Sequence, residues 1–276
     1  MYRASRRRLL LIVVLLAGVG FPSIALAEEP QEQEQLLERT ALMVGKDRLK
    51  IGILSFDYGI IDRLSIGTDP PAWAARAVIS ALIPNLHLKY SVYQRGPIAV
   101  AVQAAGYLAA LKDQGSASGT LVSFPLSLFG SFRVHQHLWL HGEATFNWVR
   151  GFGAGDLNDA GVNGQVASEA GQLGLVVQVP LTRVVSLTAV GRYQVYTGKL
   201  AFEGSGMLDP YTTVSVDGTA EPRVSHPWQA VAGVALLWRH FHLSAGVGYG
   251  YYFIPGMDIA YPKQTFVPDL SAAVLL

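Results

Sequence analysis

Leu86-His87-Leu88-Lys89-Tyr90-Ser91-Val92 alternates apolar and polar side chains without a break, and Leu243-Ser244-Ala245-Gly246-Val247-Gly248-Tyr249 repeats the rhythm near the other end of the chain. Successive side chains of a strand point to opposite faces, so each stretch reads as a strand with one apolar and one polar face. Stretches of this kind, about ten residues long and closed by turns, fill the last three-quarters of the chain. A soluble sandwich would use such strands too, and composition separates the two architectures. Half of the residues are apolar and 15% are charged, against about 25% charged in an ordinary soluble protein. Yet after Gly18 nothing approaches the ~20 apolar residues of a spanning helix. The densest run, Trp73 to Ile83, contains Arg76. A chain this apolar without helical spans must pair its backbone in strands, and in lipid only a closed barrel does that. The expected fold is all-β, a transmembrane antiparallel up-and-down barrel.

Residues 1–27 read as an export signal. Arg3, Arg6, Arg7 and Arg8 form a basic start, Leu9 to Gly18 an apolar run, and Ala25-Leu26-Ala27 a small-residue cleavage site before Glu28. The apolar run is about half of what a membrane anchor needs. Removing four arginines and no acid takes the formal net charge from +1 to −3. That leaves no basic patch for nucleic acid. The absence of cysteine excludes disulfides, thiolate catalysis and cysteine metal sites. Residues 28–39, rich in Glu and Gln, read as a periplasmic leader, and residues 40–276 as the barrel.

Strands are expected near 40–46, 48–59, 63–69, 85–95, 98–111, 119–133, 137–149, 168–181, 185–201, 228–239, 242–254 and 265–276. Short connections at Arg95-Gly96-Pro97, Val134-His135-Gln136, Thr182-Arg183-Val184 and His240-Phe241 interleave with long ones at 112–118, 150–167, 202–227 and 255–264. Such alternation belongs to outer-membrane barrels, which carry short periplasmic turns and longer extracellular loops. If 95–97 is periplasmic, so is the turn at 60–62, and parity then requires an earlier strand. The 40–46 stretch is the candidate, giving about twelve strands. Ten is the alternative, with 48–68 as one long strand.

Asp57-Tyr58-Gly59-Ile60-Ile61-Asp62-Arg63-Leu64-Ser65-Ile66-Gly67, followed by Pro84-Asn85-Leu86-His87-Leu88-Lys89, resembles the YG-x-x-D-x-L-x-x-G hairpin and PN-x-x-x-K strand of Gram-negative porin-like outer-membrane proteins. The resemblance covers about forty residues, and it implies a turn and a strand register, with no activity attached. The chain ends on Leu276, where such barrels usually end on an aromatic residue. The resemblance and the layout together imply the outer membrane of a Gram-negative bacterium, with outer-membrane lipid and lipopolysaccharide around the barrel. They also imply the barrel-assembly machinery as a partner during insertion.

In 137–149, Leu138, Leu140, Gly142, Ala144, Phe146 and Trp148 should face lipid, and Trp139, His141, Glu143, Thr145 and Asn147 the lumen. In 185–201, Leu187, Ala189, Gly191, Tyr193 and Val195 should face lipid, and Ser186, Thr188, Arg192, Gln194 and Tyr196 the lumen. Charge on the lipid face at mid-depth costs ~2–4 kcal/mol for Arg or Lys. Lys89, Arg133, His141, Glu143, Arg192 and Gln194 are therefore the expected lumen-lining residues. Trp73, Trp139, Trp148, Trp228, Trp238, Tyr251 and Tyr252 lie near strand ends, where aromatic belts form.

Candidate chemistry is sparse. His135-x-His137 and His240-x-His242 would share a strand face but lack further metal ligands. Gly151 to Asp156 mimics a phosphate loop without the helix a nucleotide site needs. Asp156, Asn158 and Asp159 lack the downstream Glu of a calcium loop. His141 and Glu143 share a face, yet no Gly-x-Ser-x-Gly elbow marks a nucleophile. No catalytic residue, metal site or cofactor is expected. The leading reading is a narrow pore or channel for small solutes, since twelve strands lie between a filled and an open interior. A non-enzymatic surface or scaffold barrel that binds a partner through its extracellular loops is the second reading. A lipid-modifying barrel enzyme is the third. Solute, partner and oligomeric state stay open.

Overall fold

The computed structural model describes residues 39–74, 83–111, 117–135, 137–157, 160–209, 212–222, 224–238, 240–254 and 259–276. The expected signal, residues 28–38 of the leader, and Asn158 and Asp159 lie outside the described residues. The elements are β1 (Leu49–Gly52), β2 (Phe56–Ile61), β3 (Leu64–Thr68), a one-turn helix α1 (Pro70–Ala74), β4 (Asn85–Arg95) and β5 (Ile98–Leu111). Then follow β6 (Ala117–His135), β7 (Leu138–Leu157), β8 (Ala160–Pro180), β9 (Val185–Thr197), β10 (Leu200–Asp209) and β11 (Thr212–Ala220). The last three are β12 (Trp228–Trp238), β13 (Phe241–Ile254) and β14 (Ile259–Leu275).

Each strand from β1 to β9 pairs antiparallel with the next, β9 pairs with β12, and β12, β13 and β14 lead back to β1. The ring closes on twelve strands. The hairpin β10–β11 stands outside it. It pairs with β8 at Val162–Ala167, beyond the Ala170–Pro180 stretch that pairs with β9. The number twelve is therefore met, but the first strands differ from expectation. Residues 40–45 form no strand. The extra strand comes instead from a break at residues 53–55, which splits the expected 48–59 into β1 and β2.

Three stretches expected as loops are strands. Residues 150–157 extend β7, 160–167 extend β8, and 259–264 extend β14, while much of 202–227 is β10–β11. Their polar, glycine-rich sequence hid them, because outside the apolar band neither face of a strand needs to be hydrophobic. The wall is consequently uneven. β6, β7 and β8 run to 19–21 residues, while β1, β2 and β3 have 4–6. A membrane-crossing strand uses ~9–11 residues.

The alternation has the inverted sense of a soluble protein. On β4, His87 and Ser91 are buried while Leu86, Leu88, Tyr90 and Val92 are about half exposed. Around the ring the buried inward residues include Ser123, Ser127, His141, Asn147, Gln178 and Ser186, and Phe124, Leu126, Leu173, Leu175 and Val234 point outward. An apolar exterior around a polar interior is the construction of a barrel whose solvent is lipid.

One expected orientation, that of Tyr196, and one expected belt position, that of Trp139, are corrected. Tyr196 faces outward and stacks on Phe146 at 6.4 Å between ring centroids, because a bulge opposite Gly171–Gln172 leaves Val195 as an extra residue and flips the face beyond it. Trp139 belongs to no outer belt. It is buried in the bore, parallel to the His141 ring at 5.8 Å. Trp148 packs edge-on against Phe146 on the outer wall, and Trp228, Tyr249 and Phe266 form an exposed outer aromatic row.

Candidate functional site

The bore holds the chain's own residues 39–45. Arg39 lies beside β7, and its Nη1 donates to both oxygens of Glu143 at 3.0 Å. The Ala41 amide donates to Ser131 Oγ at 2.9 Å, and Lys89 Nζ donates to the Leu42 carbonyl at 2.8 Å. Ala41, Leu42 and Met43 pack on Ala99, Ala101 and Phe129, the inward residues of β5 and β6. Val44 packs on Ala273 and Leu275 of β14. The segment leaves the bore at the β1–β2 rim. There the Lys46 amide meets Asp62 Oδ1 at 3.2 Å and the Asp47 amide meets the Gly59 carbonyl at 2.9 Å. A segment that joins no strand leaves backbone groups without ladder partners, and the wall side chains satisfy part of that demand.

Three residues of the porin-like motif make this seat. Gly59 has no side chain because none fits: a Cβ there would overlap the Gly45 carbonyl oxygen and lie 2.8 Å from the Val44 oxygen. Asp62 and Lys89 supply the hydrogen bonds just described. Gly67 serves a second purpose, since a Cβ there would overlap His87 Nε2 and lie 2.6 Å from Asp57 Oδ1. The motif was expected to set a turn and a register. It also makes room for the inserted segment.

All six expected lumen residues are on the inner face. Lys89, His141 and Glu143 gather around the segment, and Arg192 stands two strands from Glu143 across Gly174, adding its positive charge to the Glu143 site. Glu143 also accepts from Thr145 Oγ1 at 3.0 Å. Arg133 and Gln194 are apart from this group. The Arg133 guanidinium lies 5.6 Å from the Trp139 ring centroid, close to the turn end of β6. Gln194 donates to Thr197 Oγ1 at 2.6 Å near the opposite end of β9.

A second polar chain lines the β1–β5 wall. Lys50 Nζ is 3.8 Å from Asp57 Oδ2, which accepts from Ser55 Oγ at 2.6 Å. Asp57 Oδ1 is 2.6 Å from His87 Nε2, His87 Nδ1 is 3.5 Å from Asp69 Oδ2, and the Tyr107 hydroxyl donates to Asp69. Asn85 bonds both the amide and the carbonyl of Asp69. This clamp folds the start of the β3–β4 connection inward, so that Ala72 and Ile83 pack on Tyr107 and Ala109. Sequence reading missed Arg39, Asp57, Asp69 and Ser131. Arg39 lies outside any alternating run, Asp69 falls on the last residue of an expected strand, and Asp57 and Ser131 become informative only once their partners are known.

Ser131 and His141 are opposite one another on β6 and β7, with Nδ1 2.9 Å from Oγ, and His141 Nε2 is 3.4 Å from Gln178 Oε1. A serine beside a histidine was not legible in the sequence. The pair is one rung of a ladder, however. Ser123–Asn147 at 2.8 Å and Ser127–Thr145 at 2.7 Å repeat it on the same two strands, and the Ser131 hydroxyl is already an acceptor for Ala41. The two His-x-His pairs also part company with expectation in one case. His240 is exposed at its turn and His242 is buried in the bore, so they share no face. His135 and His137 stay exposed with ring centroids 5.6 Å apart. Among the described residues no three His, Asp or Glu side chains gather as a metal site.

No protein-family model and no curated protein matches the chain. Among solved structures, it is similar to the translocator domain of the autotransporter NalP from Neisseria meningitidis, at 13% identity and TM-score 0.46 over 83% of this chain and 84% of that one. It is also similar to the deltaS2 mutant of the monoaromatic hydrocarbon channel TodX, at 11% identity and TM-score 0.43 over 88% and 70%. The monoaromatic hydrocarbon channel CymD follows at 9% identity and TM-score 0.37 over 91% and 94%.

Proposed function

We propose that the protein is an outer-membrane channel for small solutes, held shut by its own residues 39–45. The observation that carries this reading is that the twelve-strand bore already accommodates a peptide segment against a charged and hydroxyl-bearing wall. Withdrawing the segment leaves a path about as wide as an extended chain, ~5–10 Å. Such a path suits ions and small polar solutes, and excludes folded proteins. Outer-membrane placement is supported by the apolar exterior. The rung-like role of Ser131–His141, with its hydroxyl engaged by Ala41, supports a non-enzymatic barrel.

The test is planar-bilayer conductance of the full chain against a variant whose barrel begins at Lys46. Discrete steps that become larger or more frequent in the truncated protein support the channel. Silence from both, with heat-modifiable mobility proving that both are folded, refutes it. That result would favour a scaffold barrel acting through the β7–β8 and β10–β11 hairpins.

A further inference from the structure

Beyond the apolar belt, the outer face of the long wall carries a groove of about 870 Å³. One cross-strand row runs through it: Thr120 on β6, Phe152 on β7, Gln165 on β8, Glu203 on β10 and Asp217 on β11. These side chains lie on the same face as Phe146 and Trp148, because β7 alternates without a bulge from the membrane belt outward. The adjacent inward row is glycine on four successive strands, Gly119, Gly153, Gly164 and Gly204, so the sheet there is thin and its backbone is accessible.

Position and chemistry restrict what fits. Phe152 is four residues beyond Trp148, so the row stands ~14 Å past the aromatic edge along the strand. The first charged pair on this wall, Arg150 and Glu169, lies between them. The groove therefore sits in the polar layer above the bilayer, facing sideways and away from the mouth of the bore. Glu203 and Asp217 are directly opposite, an arrangement of like charges that weakens a strand pair. Gln165 donates to the Glu203 carboxylate and leaves its own amide oxygen as an acceptor. Among the described residues no Lys, Arg or His lines the groove, while Phe152 offers an apolar ring that is half exposed.

We infer that this groove binds a saccharide, neutral or amino-substituted, belonging to the headgroup of a membrane glycolipid beside the barrel. Ligand hydroxyl or ammonium protons are donated to the two carboxylates and the Gln165 amide oxygen, and a pyranose ring covers Phe152. The volume suits two or three sugar rings, within the ~300–1,000 Å³ of ordinary ligand sites. Among the described lining residues no cation offsets the two carboxylates, which disfavours uronic and phosphorylated sugars. The glycolipid is favoured over a free solute because the groove opens towards the membrane surface around the barrel. The inference relies on the outer-membrane placement proposed above, and is independent of conduction.

The test uses the full-length protein in detergent micelles on an array of neutral, amino and acidic oligosaccharides, followed by calorimetry with the best binder. Binding should appear among neutral or amino glycans, with Phe152→Ala and Gln165→Ala each weakening it at least about tenfold. Phe124→Ala, on the membrane part of the same wall, should leave it unchanged. A blank array, a preference for acidic glycans, or binding indifferent to both groove variants overturns the inference. Mass spectrometry of co-purified lipid decides the source: the Phe152→Ala/Gln165→Ala double variant should lose glycolipid that the natural chain retains. Equal retention overturns the membrane source. A channel that proves silent in bilayers has no bearing on either readout.

Discussion

Arg39→Ala removes the contact that holds the inserted segment at its inner end. The Arg39 side chain gives one guanidinium nitrogen to both Glu143 oxygens, with the pair largely shielded from solvent at 19% and 8% side-chain exposure. A hydrogen bond to a charged group contributes about 1.5–3 kcal/mol. Breaking a buried pair can cost more, but the Arg192 charge, two strands away across Gly174, still favours the Glu143 carboxylate and lessens that penalty. Arg39 also sits at a positive φ of 55°, a conformation that L-residues adopt at a cost and that its bonded position must sustain. Taking ~2–3 kcal/mol as the loss, and one decade per ~1.4 kcal/mol, the unseated fraction should rise about 30- to 150-fold. Single-channel recording at fixed voltage measures that fraction as open probability. Barrel stability, read from the temperature at which gel mobility shifts, should hardly change, since the bond ties the segment to the wall and closes no strand pair. An open probability unaltered in Arg39→Ala, in a protein whose truncated form conducts, would refute the latch.

Gly59→Ala places a methyl group against the Gly45 and Val44 carbonyls and should unseat the exit of the segment, an overpacking cost of ~1–3 kcal/mol read as increased conductance; Gly142→Ala, with nothing within 4 Å, should be silent. Leu140 points outward on β7 and Glu143 inward, so Leu140→Arg should lose ~2–4 kcal/mol of barrel stability and impair assembly, whereas Glu143→Gln should assemble and merely loosen the segment. Equal assembly defects on heat-modifiable gels would contradict that face assignment. Because the chain has no cysteine, Asp217→Cys and Gly96→Cys report sidedness directly. An impermeant maleimide added to intact cells should label the first and spare the second, and the reverse pattern would invert the barrel.

The sequence by itself determined the barrel. Strict two-residue alternation, an apolar content too high for a soluble sheet and too interrupted for helices, and alternating turns leave one way to pair every backbone group. Each of those signals is local, since it depends on neighbours two residues away. The inward placement of Lys89, His141, Glu143 and Arg192 followed from the same alternation. Where alternation slips, inference from sequence slips with it: a single extra residue at Val195 turned Tyr196 to the outside. The tertiary structure alone decided what fills the bore. Residues 39–45 have a short apolar run that suits a strand, and only the closed ring shows that β1 already pairs with β14 through Lys50–Leu275, leaving that run no edge to join. It turns inward because the interior offers Glu143, Ser131 and Lys89, on three different strands, 47 to 104 residues from their partners in the segment but adjacent to them in space. The same holds for the row from Thr120 to Asp217, whose members come together through strand pairing and through nothing that a linear reading could count.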